Sequence, residues 1–116
     1  MINRINNASK EELTLILYEA CEQNIIQGIS FIKQKNFEQA NIFLQKAEKI
    51  ITEFRLTLDH NYEIAKQLES LYLYAYNCLV QGNINNNLSL LDEALYIIST
   101  LKNTWKQALE TLSKSL

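Results

Sequence analysis

The chain has 116 residues, with 11 Lys and Arg against 13 Asp and Glu for a net charge of -2, no proline, two glycines and two cysteines. That length supports one domain burying roughly two-thirds of its unfolded surface, and the charge leaves no electrostatic footprint for nucleic acid and no block of like charge for a membrane patch. No apolar run approaches the roughly 20 residues of a membrane span and MINRINNASK has no apolar h-region, so a cytoplasmic protein without membrane insertion is expected.

Alanine, leucine, isoleucine, lysine, glutamate and glutamine dominate, which favours helix, and the punctuation divides the chain into helices. Ser9-Lys10-Glu11-Glu12 forms a capping box, predicting a first helix from Lys10 to about Gln34. It has two apolar stripes: Leu13, Leu17, Ala20 and Phe31, taken as the core face, and Tyr18, Cys21, Ile25 and Ile29 beside it. Asn36 followed by Gln39 opens a second helix, Phe37 to about Thr57, with a single stripe of Phe37, Ala40, Leu44, Ala47, Ile51, Phe54 and Leu58. After the polar break Asp59-His60-Asn61, a third helix is predicted from about Tyr62 to Gln81, stopped by Gly82-Asn83 as a C-cap signal.

This third helix holds the run LYLYAYNCLVQGNI, apolar on more than one side. With 3.6 residues per turn, Leu68, Leu71, Tyr72, Ala75 and Leu79 form a core stripe, Leu73, Tyr76 and Val80 lie about a quarter turn away, and Tyr74 stands roughly opposite the core. Asn83 to Asn87 reads as a loop, with Asn83 a turn residue. A fourth helix follows from Leu88 to about Leu112, with a core stripe of Leu91, Leu95, Ile98, Trp105, Leu109 and Leu112 and a second of Leu90, Ala94, Ile97 and Leu101. Short connections imply antiparallel neighbours. The expected fold is all-α, one antiparallel up-down four-helix bundle over residues 1–116, with residues 1–8 as a short flexible arm.

Surplus apolar stripes on three helices need a cover. A short, wide bundle that buries a broad sector of each helix is one reading; a groove that takes a helical partner is another, and a second copy of the chain is a third. The groove reading makes Tyr18, Ile25 and Ile29 on helix 1, Leu73, Tyr76 and Val80 on helix 3, and Leu90, Ile97 and Leu101 on helix 4 the candidate client-binding residues. Enzymatic constellations are largely absent. His60 is the single histidine, no Glu-x-x-His pair supports a di-iron site, and no glycine-rich phosphate loop exists. Cys21 and Cys78 read as free buried thiols, since two cysteines make no zinc site and the cytoplasm disfavours disulfides. No catalysis, cofactor or metal is expected, although a metal- or ligand-binding bundle enzyme remains a rival reading.

Several motifs in register resemble the flagellar export chaperone family (FliS). They are Ala8-Ser9 with Glu12-Leu13 and Leu17-Tyr18, then Lys46-Ala47, Ile50-Ile51 and Leu58. Leu71-Tyr72, Tyr74, Tyr76, Leu79-Val80 and Gly82-Asn83-Ile84 follow on helix 3, and Thr104-Trp105-Lys106 with Ala108 on helix 4. Lys10 stands where the family has proline, Leu73 where it has an acidic residue, and Asn77 and Cys78 where it has two basic ones. The resemblance implies a cytoplasmic chaperone that binds the disordered C-terminal segment of flagellin, prevents premature polymerisation and delivers it to the type III export gate. A divergent paralogue with another client is the alternative, and the expected assembly is a monomer or weak dimer. The family's lid-like N-terminal arm has Ile2 and Ile5 as its apolar candidates here.

Overall fold

The computed structural model describes residues 8–115, so the expected arm and its Ile2 and Ile5 lie outside the described residues. Four helices, α1 (Lys10–Lys33), α2 (Phe37–Thr57), α3 (Ala65–Asn85) and α4 (Leu88–Ser115), make up the bundle. Each of α1 and α3 packs against both α2 and α4, so the helices occupy the corners of a square and consecutive helices are neighbours. The bundle measures 48 × 33 × 20 Å.

Three starts are capped by side chains, satisfying amides that have no partner within the helix. Ser9 Oγ accepts from the Glu12 N–H at 3.1 Å, Asn36 Oδ1 from Gln39 at 3.4 Å and Asn87 Oδ1 from Leu90 at 3.2 Å. Between α1 and α2, Lys35 turns left-handed with φ 59°, and the amides of Lys35 and Asn36 close onto the carbonyls of Ile32 and Phe31.

The third helix departs from expectation at both ends. It begins at Ala65, because Asp59 Oδ1 takes the Asn61 amide and the Tyr62 carbonyl takes that of Ala65, spending the intervening residues on turns. It also continues past Gly82 to Asn85 and stops at Asn86, which adopts φ 51°. Asparagine tolerates that left-handed conformation. Gly82 is a contact glycine: a Cβ there would lie 2.6 Å from Leu91 Cδ2 on α4. Asn83 is accordingly helical, and its amide donates to Asn41 Oδ1 of α2 at 2.8 Å.

Helix α1 buries the second of its two neighbouring stripes and not the one expected to face the core. Tyr18, Cys21, Ile25 and Ile29 are buried, whereas Leu13 and Leu17 remain 37% and 41% exposed. The decisive features are the polar tips and the bulk of the neighbours. Tyr18 reaches across the bundle to Tyr72 of α3, and their hydroxyls hydrogen-bond each other in the interior. Phe54 of α2 lies between the two rings, with centroids 4.5 Å from Tyr18 and 5.4 Å from Tyr72. Gly28 continues this face and lets Leu44 approach the α1 backbone. A rotation that buried Leu13 and Leu17 would lose all three arrangements.

Helix α2 buries Ala40, Leu44, Ala47, Ile51 and Phe54 along its single stripe, while Phe37 at its start is exposed. On α4 the buried line runs between the two expected stripes, through Leu91, Ala94 and Ile98, with Leu95, Leu90, Ile97 and Leu101 half-buried on either side and Leu112 exposed. Each large aliphatic side chain buried in this way contributes roughly 1.5–3 kcal/mol of transfer free energy.

Candidate functional site

Helix α3 carries a buried line of Tyr72, Ala75, Leu79 and Gly82, and apolar residues flank it on both sides. On the α2 side lie Leu73, Tyr76 and Val80; Leu73 is exposed and the other two half-buried. Tyr76 lines a groove of about 400 Å³ together with Gln45, Glu48, Lys49, Thr52 and Glu53 of α2. The groove is bracketed by cross-helix pairs, the Arg55–Glu69 ion pair at 3.0 Å toward one end and Asn83–Asn41 toward the other. On the α4 side stand Leu71 and Tyr74, both exposed. The Tyr74 hydroxyl donates to Glu93 of α4 at 2.9 Å, and that carboxylate pushes the phenol up to about 12.

The two sides of α3 divide the expected client-binding residues. Leu90, Ile97 and Leu101 share with Glu93 the flank of α4 that meets α3, whereas Leu73, Tyr76 and Val80 look toward α2. The residues therefore fall on two flanks of α3, one beside the α2–α3 groove that Tyr76 lines and the other facing α4. Tyr18, Ile25 and Ile29 belong to neither. At 4%, 0% and 7% exposure they are core residues, and no ligand reaches them in the folded bundle. Their assignment as contacts is corrected by the rotation of α1, which presents Leu13 and Leu17 outward instead. Leu71, expected in the core, is exposed, and Ile84 beyond Val80 continues the apolar edge. Their signal in the sequence was the spacing Leu73, Tyr76, Val80, Ile84, three and four residues apart. The expected stop at Gly82 concealed its last member.

The electrostatics of the α2–α3 groove are unusual for a bundle seam. Glu48 Oε2 is buried and has no hydrogen-bond partner, alone in this among the described residues. Burial raises the Glu48 carboxyl above its ordinary range, opposed only by the Asn83 amide. Across the molecule, the α1–α4 seam holds Glu22, whose two oxygens receive Ser99 Oγ at 2.6 Å and Lys102 Nζ at 2.9 and 3.1 Å. Burial would push that carboxyl up, but the hydrogen bonds from Ser99 and Lys102 and the lysine charge together bring it below its ordinary range. Trp105 closes the same seam from its half-buried position, its indole N–H donating to the Glu11 carbonyl at 2.9 Å.

Burial, with a smaller contribution from Glu22, pushes the Cys21 thiol up to about 12, and burial also raises Cys78, so neither is an activated nucleophile. Among the described residues no group of three His, Cys, Asp or Glu side chains stands close enough to hold a metal ion, and no helix is long and apolar enough to cross a membrane.

Comparison with known proteins assigns the fold to a lineage. The sequence pattern of the family described as flagellar protein FliS matches residues 1–112. The chain belongs to the FliS family. A flagellar secretion chaperone FliS from Bacillus subtilis (strain 168) is 36% identical over 112 residues, which span 97% of this chain and 84% of the relative. The FliS of Vibrio cholerae serotype O1 is 30% identical over 107 residues, 90% of this chain and 79% of its own length. That of Escherichia coli (strain K12) is 28% identical over 115 residues, 97% and 83% respectively. FliS membership places the four-helix bundle among the chaperones of flagellar secretion.

Proposed function

We propose that this protein is a cytoplasmic export chaperone that binds the disordered C-terminal segment of flagellin, keeps it from polymerising early and hands it to the flagellar type III export apparatus. The observation that carries the reading is the double apolar flank of α3, with Leu73, Tyr76 and Val80 on one side and Leu71 and Tyr74 on the other. Membership of a family of flagellar secretion chaperones supports it. Capture of a helical segment needs apolar anchors spaced three and four residues apart, and ordering a disordered client costs several kcal/mol. An interface of about 2,000 Å² or more offsets that cost. The α2–α3 groove and the two apolar flanks of α3, extended by Leu90, Ile97 and Leu101 of α4, offer a surface a client can follow from one seam to the next.

The protein works in this reading as a monomer or weak dimer, with the client's apolar faces replacing water over the α3 flanks. Calorimetric titration with a peptide of the flagellin C-terminus tests it. Binding is expected with a strongly negative heat-capacity change and a gain in helicity by circular dichroism. Absence of binding at tens of micromolar peptide removes flagellin as the client.

A further inference from the structure

The α2–α3 groove has two chemically different walls. On the α3 side Tyr76 lines the groove, and Leu73 and Val80, three and four residues away, continue the same apolar flank of the helix. The α2 wall is polar and, with Glu48 and Glu53 against Lys49, carries an excess of negative charge. The nearby cation Arg55 does not balance that excess, since its guanidinium is engaged by Glu69. Glu48 is set between the walls with one carboxylate oxygen shut away from water and no donor on it. Such an atom forfeits water hydrogen bonds without replacement. Native structures keep few such atoms, each with a reason, and a donor supplied on binding is one such reason. The missing partner is a strong donor carrying positive charge, because the Asn83 amide beside Glu48 is neutral.

Resting on the client reading above, we infer that the α2–α3 groove receives an amphipathic helix of the client that places its apolar face on Leu73, Tyr76 and Val80 and delivers one lysine or arginine to the Glu48 carboxylate. Charge complementarity selects this occupant: a wholly apolar helix would cover Glu48 and leave its charge sealed and unpaired, the costliest outcome for a buried carboxylate. The paired cation also fixes register, since a slip of one residue along the groove swings the cationic side chain about 100° away from Glu48.

The test measures binding of the flagellin C-terminal peptide to wild type, Glu48→Gln and Glu110→Gln, with each peptide lysine and arginine replaced in turn by glutamine. Glu48→Gln is expected to remain folded, to weaken binding about 30-fold or more, and to show non-additive coupling to one peptide cation only. Glu110→Gln, at an exposed position of α4 outside the groove, is expected to change affinity less than about threefold. If wild type binds and Glu48→Gln binds equally well, the cationic anchor is wrong while the client reading stands. If Glu48→Gln weakens binding without coupling to any peptide cation, the anchor is likewise wrong. If wild type fails to bind at all, the client reading falls and this inference with it. If sedimentation shows a dimer that Glu48→Gln tightens, the groove's occupant is a second copy and the inference is overturned.

Discussion

Two seams of the same bundle treat a half-buried glutamate in opposite ways. Between α1 and α4, Glu22 is met by Ser99 and Lys102, and the nearby Trp105 adds its own bond to the backbone. Between α2 and α3, Glu48 keeps a buried oxygen without a donor beside a groove of about 400 Å³. A seam whose polar groups are satisfied has no demand left for a partner, whereas an unsatisfied one is stabilised by whatever brings the missing donor.

The largest expected effect sets the closed interior against the available groove. Ile25→Ala is expected to destabilise the fold by about 2–5 kcal/mol, as for other fully buried large-to-small changes. Val80→Ala, at a half-buried groove edge, is expected to cost less than about 1 kcal/mol. Urea unfolding checks both, and equal losses would erase the distinction between core stripe and client flank.

Next is the tyrosine pair that turns α1 toward the core. Tyr18→Phe and Tyr72→Phe each leave a buried hydroxyl unpaired, and each is expected to cost about 1–3 kcal/mol. The double variant should cost less than the sum, because it removes both polar tips together. Additive losses in the double-mutant cycle would show that the hydroxyls do not depend on each other.

The contact glycine of α3 is expected to matter somewhat less. Gly82→Ala forces Leu91, which is fully buried, to move, and overpacking costs typically about 1–3 kcal/mol. About 1 kcal/mol of regained helix propensity offsets part of it, for a net loss on the order of 1 kcal/mol by thermal unfolding. A stabilised variant would mean that the α3–α4 packing is loose.

The smallest effect carries the sign that separates the seams. Glu22→Gln is expected to destabilise and Glu48→Gln to stabilise the free protein at neutral pH, each on the order of 1 kcal/mol. The folded Glu22 carboxyl is lowered, so its stabilisation is complete above the unfolded value and disappears as pH falls through the folded one. The folded Glu48 carboxyl is raised, so its penalty is complete above the raised folded value and fades as pH falls through it toward the unfolded one. Stability profiles of each variant against wild type should therefore converge on acidification from opposite sides. Convergence from the same side would refute the contrast.

Much of this was legible before the fold was known, and the misses are instructive. The caps at Ser9 and Asn36 lie where the sequence places them, because a capping side chain bonds an amide two or three residues away. The stripe of α2 was readable from Ala40 to Phe54 because it has no competitor. Helix α1 has two apolar stripes, and periodicity alone weighs Leu17 and Tyr18 alike. Gly82 carries an end-of-helix signal, yet its missing side chain serves close packing against Leu91 while Asn86 ends the helix. Leu73, Tyr76 and Val80 were recognisable as surplus, but that Tyr76 shares a groove with Glu48, one of whose oxygens has no donor, depends on the angle at which two helices meet.

The sequence by itself determined the number of helices, most of their boundaries and the presence of apolar surface beyond the needs of a core, since all of these follow from interactions within a few turns of one chain segment; the family was legible from motifs held in register along the chain. Only the tertiary structure decided which face of α1 is buried, which glutamate is fully paired and which keeps one oxygen without a donor. Those outcomes depend on side chains distant in sequence, Tyr18 with Tyr72 and Glu22 with Lys102, finding or failing to find each other across the bundle.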